Sequence, residues 1–408
     1  MAKALGRTEF VALMAMLLAT VAFSIDAMLP ALPEIALDLT PQDPNRAQLI
    51  LTSFVLGLGI GTMFAGPLSD AVGRKPVILA GASLYIVCAF GAWASETLEA
   101  LLAARLLQGL GAAGPRVVAI AIVRDLYEGR RMAQLVSFVM MVFALVPAAA
   151  PLIGSGIIAL IGWRGIFLAF VGFACLSAGW LWLRQPETHP VEARRPFRAK
   201  PLWNGLVEVL TNRQVLRIIL ALSLIFGILF STLSLTQPVF DETFGEADSF
   251  PFWFALVALV SAMGSVLNAR IVLRHGMRRV SAGTLVALSL LSAVMLLSGL
   301  FWSWDRPGGF ALYVLFNIGV FSSVSLTVGN LNALAMGPLG HIAGMAASIV
   351  GALSTVAAVA IAVPIGLAFD GTPFSGAAGA LVCSLLALIL VLGLQEPEAA
   401  AGVPEPGT

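Results

Sequence analysis

Charge is what this sequence most lacks. Of 408 residues only 23 are Lys or Arg and 22 are Asp or Glu, 11% in all, where a soluble domain carries about 25%. With 59% hydrophobic residues and a mean hydropathy of +0.96, too little charge remains to solvate a globular surface. An ordinary soluble protein is excluded, and the chain is expected to live in lipid. A formal net charge of +1 offers nucleic acid no handle, and none is expected as a partner. Cysteine and histidine are as scarce, three of each. Cys88, Cys175 and Cys383 lie in separate apolar runs without CxxC spacing and read as small buried hydrophobes. His189, His275 and His341 fall in different polar connections, so no metal site is expected. No nucleophile–base set and no appended soluble domain stands out, which argues against an enzyme.

What the sequence has is long apolar runs. About 20 such residues cross a bilayer as a helix, and twelve runs of that length occur, at about 10–32, 47–68, 76–94, 99–122, 132–158, 164–183, 214–238, 250–272, 280–302, 309–335, 343–368 and 375–394. Lys3 and Arg7 before the first run, with Ala19 and Ala22 inside it, imitate a secretory signal. The run continues through Pro30, so an uncleaved first span is expected. Basic residues collect in alternate connections: Arg74 and Lys75; Arg124, Arg130 and Arg131; Arg184 to Arg213; Arg274, Arg278 and Arg279. The other connections hold only Arg46, Arg164 and Arg306 against acids such as Glu34, Asp38, Asp43, Glu96, Asp241, Glu242 and Glu246. The positive-inside rule then puts both termini in the cytoplasm.

The stretch RQPETHPVEARRPFRAKPLWN, 184–204, is too rich in proline and charge to bury a core, and reads as a linker with a short interfacial helix near Leu202 to Leu210. It implies a six-helix bundle over 1–183, a cytoplasmic linker over 184–213, a second six-helix bundle over 214–395 and a cytoplasmic tail over 396–408. The halves echo each other: Gly66-x-x-x-Asp70-x-x-Gly73-Arg74-Lys75 in the first, Gly264-x-x-x-Asn268 and Gly276-Met-Arg278-Arg279 in the second, with Pro30 and Pro238 in matching places. Parallel six-helix repeats are the plan of a transporter that rocks one half against the other.

Within RLLQGLGAAGPR, 105–116, Gly109, Gly111 and Gly114 spell G-x-G-x-x-G. A dinucleotide site needs a strand before that pattern and a helix start within it. Here the pattern lies inside an apolar helix, where bare glycines serve close helix packing. The charges beside it matter more. Asp26, the one acid deep in any span, lies about as far below the outer surface as Arg105, so the two form either a fixed ion pair or a proton-coupling site. Arg116 either reaches back to the cytoplasmic surface or lines the inner part of a substrate path. Gln237, Asn317, Asn330 and Asn332 offer hydrogen bonds in an apolar cavity, or simply join helices. Ser234 falls opposite Asp26 in the repeat, confining proton chemistry to the first half.

GPLSDAVGRKP (66–76), RLLQGLGAAGPRVV (105–118) and VPAAAPLIGSGI (146–157) resemble the loop, fourth-helix and fifth-helix signatures of the major facilitator superfamily. IDAMLPALPEIA (25–36) and VRDLY (123–127) resemble its twelve-span drug/proton antiporter family, in the subgroup of bicyclomycin- and phenicol-resistance exporters. Ala71, where the loop signature usually has Arg, and Ala150-Pro151, in place of Gly-Pro, depart from the pattern. The resemblance implies an all-α membrane fold of two six-helix bundles in a bacterial-type inner membrane. It implies proton-coupled efflux of small lipophilic compounds, or alternatively proton-coupled nutrient import. Gly66, Asp70, Gly73, Arg74, Lys75, Arg124 and Asp125 would form a conformational gate, and Pro147, Pro151 and Gly154 would bend a helix. No cofactor beyond the proton gradient is implied, the partners are substrate, protons and lipid, and a monomer is expected. If Arg105 neutralises Asp26, no standing negative charge holds a cation, and neutral or zwitterionic lipophiles are favoured.

Overall fold

A backbone in lipid must satisfy its own hydrogen bonds, and a chain this apolar does so as helix. The computed structural model describes residues 5–194, 197, 199–301, 303–304 and 308–395. Lys3, Arg306 and the expected tail 396–408 lie outside the described residues. Every regular element among those described is helical. In chain order they are α1 (Arg7–Asp26), α2 (Leu32–Leu39), α3 (Leu49–Val72), α4 (Arg74–Trp93), α5 (Leu98–Leu126), α6 (Gly129–Ile161) and α7 (Arg164–Arg184). After the polar stretch come α8 (Ala199–Thr211), α9 (Arg213–Pro238), α10 (Phe250–His275), α11 (Met277–Phe301), α12 (Gly309–Met336), α13 (Ala343–Leu367) and α14 (Phe374–Leu392).

The boundaries follow from local chemistry. Gly73 (φ 113°) and Gly276 (φ 80°) end α3 and α10 in backbone conformations that a side chain would strain. Thr97 accepts from the Ala100 N–H at the start of α5, and Asn212 caps α9 by accepting from the Gln214 and Val215 N–H groups. Pro147 and Pro151 lie within α6, which runs through both as one helix.

Eleven helical stretches among the described residues are long and apolar enough to cross a membrane. The sequence reading counts twelve; the difference lies at 309–335 and 343–368. There α12, a 3-10 segment and α13 follow one another with no open loop between them, a run of 59 residues, Gly309–Leu367. At 1.5 Å per residue that stretch would be about 88 Å long, twice a bilayer, so it must fold back. It does so at a 3-10 segment, Gly337–Ile342, where Leu339 leaves helical geometry (φ −113°, ψ 22°). The short helix expected near 202–210 is α8. Trp203, Val207 and Leu210 are exposed along it while Val209 is buried, as suits a helix lying at a lipid surface.

The apolar core falls into three clusters. One draws side chains from both parts of the chain, including Phe54 and Phe167 with Phe240 and Phe254. The other two are separate: Phe10, Ile78 and Val123 belong to a cluster built only from the first part, and Ile218, Leu334 and Ile349 to one built only from the second. Both separate clusters lie toward the end of the bundle that carries the polar stretch after α7, here the linker end. At the opposite, far end the parts are tied together: Asn45 donates to the carbonyls of Leu367 (3.2 Å) and Phe369 (2.7 Å). Two arginines expected there are matched by acids, Arg46 with Glu99 at 2.9 Å and Arg164 with Asp38 at 2.8 Å.

Candidate transport site

The tight turn at Gly73 throws Arg74 back across the linker end of α3. Its side chain, 9% exposed, donates to Ser69 Oγ (2.6 Å), to the Asp70 carboxylate and, through Nε, to Asp125 Oδ2 at the end of α5 (2.9 Å). Glu187, beyond α7, closes the cluster. Its carboxylate accepts from the backbone N–H groups of Arg74 (3.0 Å), Lys75 (3.0 Å), Thr188 (2.9 Å) and His189 (2.9 Å), and so caps the start of α4. Partial burial alone would raise the Glu187 pKa, but the four backbone donors outweigh it and hold the carboxyl below the usual range. Lys75 Nζ donates to the carbonyls of Trp182 (2.7 Å) and Gln185 (2.8 Å), and Thr188 Oγ1 to Asp125 Oδ2 (3.0 Å).

Gly66, Asp70, Gly73, Arg74, Lys75 and Asp125 thus gather at one end of the first part. Arg124 is exposed and outside the network. Gly66 faces α13, where a Cβ on the glycine would lie 3.3 Å from Ser348 Oγ. Glu187 and Ser69 escaped the sequence reading: Glu187 is 113 residues from Arg74 along the chain, and no local pattern announces such a pairing.

The glycines of the fourth-helix pattern lie in the middle of α5 and pack helices. A Cβ at Gly109 would come within 1.9 Å of the Phe54 carbonyl oxygen on α3, and one at Gly111 within 2.6 Å of the Gly81 carbonyl oxygen on α4. Gly57 answers Gly109 from α3, with Leu106 O at 1.8 Å from its would-be Cβ. This contact draws the backbones together and brings Arg105 into a buried interior.

Arg105 is fully buried, yet it does not pair with Asp26. Its guanidinium donates to Ser24 O (3.0 Å), Ile50 O (3.4 Å) and Gln108 Oε1 (2.7 Å), and lies over the Phe54 ring at 4.3 Å. Ser24 Oγ in turn shares a hydrogen bond with Tyr85 Oη (2.5 Å). Equal depth led the sequence reading to offer a fixed ion pair. The structure corrects that: Asp26 ends α1, while the Arg105 guanidinium takes the Ser24 carbonyl two residues earlier, the Ile50 carbonyl on α3 and the Gln108 side chain.

Asp26 is 5% exposed and makes no hydrogen bond or ion pair with the described residues. It is the last residue of α1 before the chain passes through a 3-10 turn, Leu29–Ala31, into α2. Gly154 of α6 lies directly on this break, where a Cβ would sit 2.3 Å from Ala27 O. Pro147, Pro151 and Gly154 therefore belong to the helix that supports the Asp26 turn.

In the second part Asn317 donates to Tyr313 O (2.9 Å) and accepts from Thr236 Oγ1 (3.0 Å). Asn330 and Asn268 exchange both amide bonds, at 3.0 and 3.2 Å, joining α12 to α10. Gln237 is buried with Oε1 unpartnered. Asn332 is half-buried. Arg116 is exposed, with no hydrogen bond or ion pair among the described residues.

The model of the Major Facilitator Superfamily matches residues 13–363. The bicyclomycin resistance protein homolog of Haemophilus influenzae is 32% identical over 279 residues, 68% of each chain. The chloramphenicol resistance protein of Pseudomonas aeruginosa is 30% identical over 330 residues, 78% of this chain and 74% of that protein. The crystal structure of a D-xylose-proton symporter superposes with a TM-score of 0.74 at 15% identity, covering 93% of this chain and 97% of that one, and shares the fold. The chain therefore belongs to the Major Facilitator Superfamily, in the company of bicyclomycin- and chloramphenicol-resistance proteins, and is a multi-pass membrane transporter, not an enzyme.

Proposed function

We propose that the protein exports small lipophilic compounds from the cytoplasm across a bacterial-type inner membrane, driven by inward proton flow through alternating access. The folding-back of Gly309–Leu367 supports a count of twelve spans, two sets of six around the linker. The linker end is then cytoplasmic, in keeping with its arginines. The shared core at the far end and the separate cores at the linker end fit a conformation open to the cytoplasm.

The observation that carries the reading is Asp26, an acid at the break of α1 with no cation beside it. A buried carboxylate without a counter-charge is costly, so a proton is the counter-charge open to it. Protonation from outside and release inward would bias the turn at Ala27 and, through Gly154, the position of α6. Arg105 holds the neighbouring carbonyls in place for that turn. The Asp70–Arg74–Asp125–Glu187 cluster is the cytoplasmic gate, rigid in this state and remade in the other. The names of the relatives point to antibiotic-like cargo, and the proton gradient replaces any cofactor.

Proteoliposomes with a lumenal pH dye test this. Chloramphenicol added to the wild type should release a preformed pH gradient, and Asp26→Asn should not respond although it is folded and still binds drug. An undiminished response in Asp26→Asn overturns the proton assignment. Uphill uptake into intact cells, with none into everted vesicles, would favour nutrient import instead.

A further inference from the structure

Efflux coupled at Asp26 leaves Arg116 without a task. It lies eleven residues after Arg105 on α5, a rotation of about 20°, so the two occupy one helix face about 16 Å apart along the axis. Leu107, 46% exposed, lies half a turn away at about 180° and marks the lipid side. Arg116 therefore points inward. Arg105 on that face is sealed; Arg116 is open. The stripe passes from the seam with α3 toward the linker end, where the cores of the two parts are separate.

No acid meets it there. The register of α5 on α3 is fixed by the Gly61 contact with Ala113, 2.7 Å from the would-be Cβ. The next turn of α3 holds Phe64, Ala65 and Leu68. On α1 the stretch at that level, 10–19, is wholly apolar. Asp26 is about 20 Å away along the axis and Asp125 about 13 Å, the latter held by Arg74. The expected span 99–122 ends about 9 Å away along the axis, so Arg116 lies more than one helical turn inside it.

An unpaired guanidinium on an apolar wall is a fork for a carboxylate, with two parallel donors and little competing water. We infer that Arg116 anchors an anionic group, a carboxylate above all, on the compounds carried by this transporter. The inference deepens the efflux reading and relies on it for the direction of transport, but not for binding. Cargo so held is a lipophilic carboxylate or zwitterion, its apolar body among Met, Leu and Phe side chains and its anion well clear of Asp26.

Purified protein in phosphatidylcholine nanodiscs provides the test, with fluorescent 1-pyrenebutyrate and its methyl ester as probes of equal shape. The wild type should bind the acid about tenfold to a hundredfold tighter than the ester, the range for hydrogen bonds to a charged group. Arg116→Gln should erase that preference by weakening the acid alone, and Arg116→Lys should keep part of it. Equal affinities in the wild type, or a preference that survives Arg116→Gln, overturns the inference. So does a preference erased by adding phosphatidylglycerol, which would assign the arginine to lipid headgroups. Ester binding unchanged in Arg116→Gln shows that the variant is folded. If the acid preference holds while chloramphenicol fails to move protons, the efflux reading falls and the anion site stands.

Discussion

Gly73 and Gly276 turn the chain in the same way at the same place in the two halves, with φ of 113° and 80°, but the arginine after each turn finds different partners. Arg74 is locked among Ser69, Asp70 and Asp125, with Glu187 capping its helix. Arg278, two residues after Gly276, donates to the Leu394 backbone carbonyl at 2.9 Å. The interiors diverge as well. The first half holds Asp26, Arg105 and Arg116; the second answers with Asn317, Asn330 and a serine pair, Ser289 and Ser384, at 2.8 Å. Helix packing differs in the same sense: a Cβ at Gly109 would collide with backbone at 1.9 Å, while one at Gly264 would meet only Ser325 Cβ at 3.2 Å. At these positions the first part is packed backbone on backbone around buried charges, and the second through side chains around amides and hydroxyls. The coupling proposed at Asp26 would sit where the backbone is least free to yield, which suits a site whose protonation must be felt as movement of whole helices.

The largest break in this contrast should come from the packing itself. Gly109→Ala drives a methyl group into the Phe54 carbonyl, and overpacking against backbone has no flexible partner to give way. We expect little or no monodisperse protein after detergent extraction. Gly264→Ala should yield protein close to wild type, with a loss of about 1 kcal/mol or less. Size-exclusion profiles of the two variants decide it, and equal yields would remove the difference in stiffness.

Coupling should divide the halves as sharply while leaving both folded. Asp26→Asn should lose all gradient-driven efflux, whereas Ser234→Ala, at its repeat counterpart, should stay within about twofold of wild type. Among the described residues the Ser234 hydroxyl bonds only to the Phe230 carbonyl of its own helix, at 2.9 Å, a local bond worth about 1 kcal/mol. A matching loss in Ser234→Ala would spread the proton chemistry over both halves.

The sequence displayed these differences unevenly. Apolar runs of bilayer length reveal the helices because lipid allows few other solutions, and the glycine pattern at 109–114 reveals a close seam. Depth along a helix placed Asp26 and Arg105 level, but depth carries no information on azimuth or on which acceptor wins. Ser24 and Ile50 offered carbonyls nearer to the guanidinium. At Gly337–Ile342 two helices follow one another without an open loop, because Pro338 stands at the start of a 3-10 turn. Glu187 was illegible because its role is to cap a helix begun more than a hundred residues earlier, and capping across such a distance leaves no periodic trace.

A smaller effect is expected at the gate. Asp125→Asn keeps shape but weakens the charge-assisted bond to Arg74, 2.9 Å in this state. Turnover should change several-fold with drug affinity nearly constant, since the residue is remote from the cavity and acts on the balance of conformations. The equivalent change in the neutral half, Asn268→Ala, removes the paired amides with Asn330. It should cost about 1–2 kcal/mol of stability and leave the pH dependence of transport alone. Parallel turnover and thermal-melt measurements separate the two, and a changed pH profile in Asn268→Ala would show that the neutral half also handles charge.

The smallest effect belongs to Glu187, and its sign with pH is fixed. Its folded-state pKa lies below the ordinary glutamate range because four backbone N–H groups favour the anion over the opposing effect of burial. A group of this kind contributes stability above its unfolded pKa, and the contribution disappears as pH falls through the lower folded value. Between pH 5 and pH 8 the cap on α4 should therefore be constant, and it should fail only in more acid solution. Glu187→Gln removes the charge but keeps an acceptor. Because the carboxylate is partly open to solvent, the loss near neutrality should be only about 1 kcal/mol, within what screened contacts retain. Amide exchange reports this locally: the N–H groups of Arg74 and Lys75 should exchange about fivefold faster in Glu187→Gln at pH 7, the rate equivalent of that free energy. The difference between the two proteins should shrink in more acid solution, as the wild-type carboxyl takes up its own proton. Equal exchange at pH 7 would mean that the turn at Gly73 holds α4 without the cap, and the contrast with Gly276 would then rest on Arg74 alone.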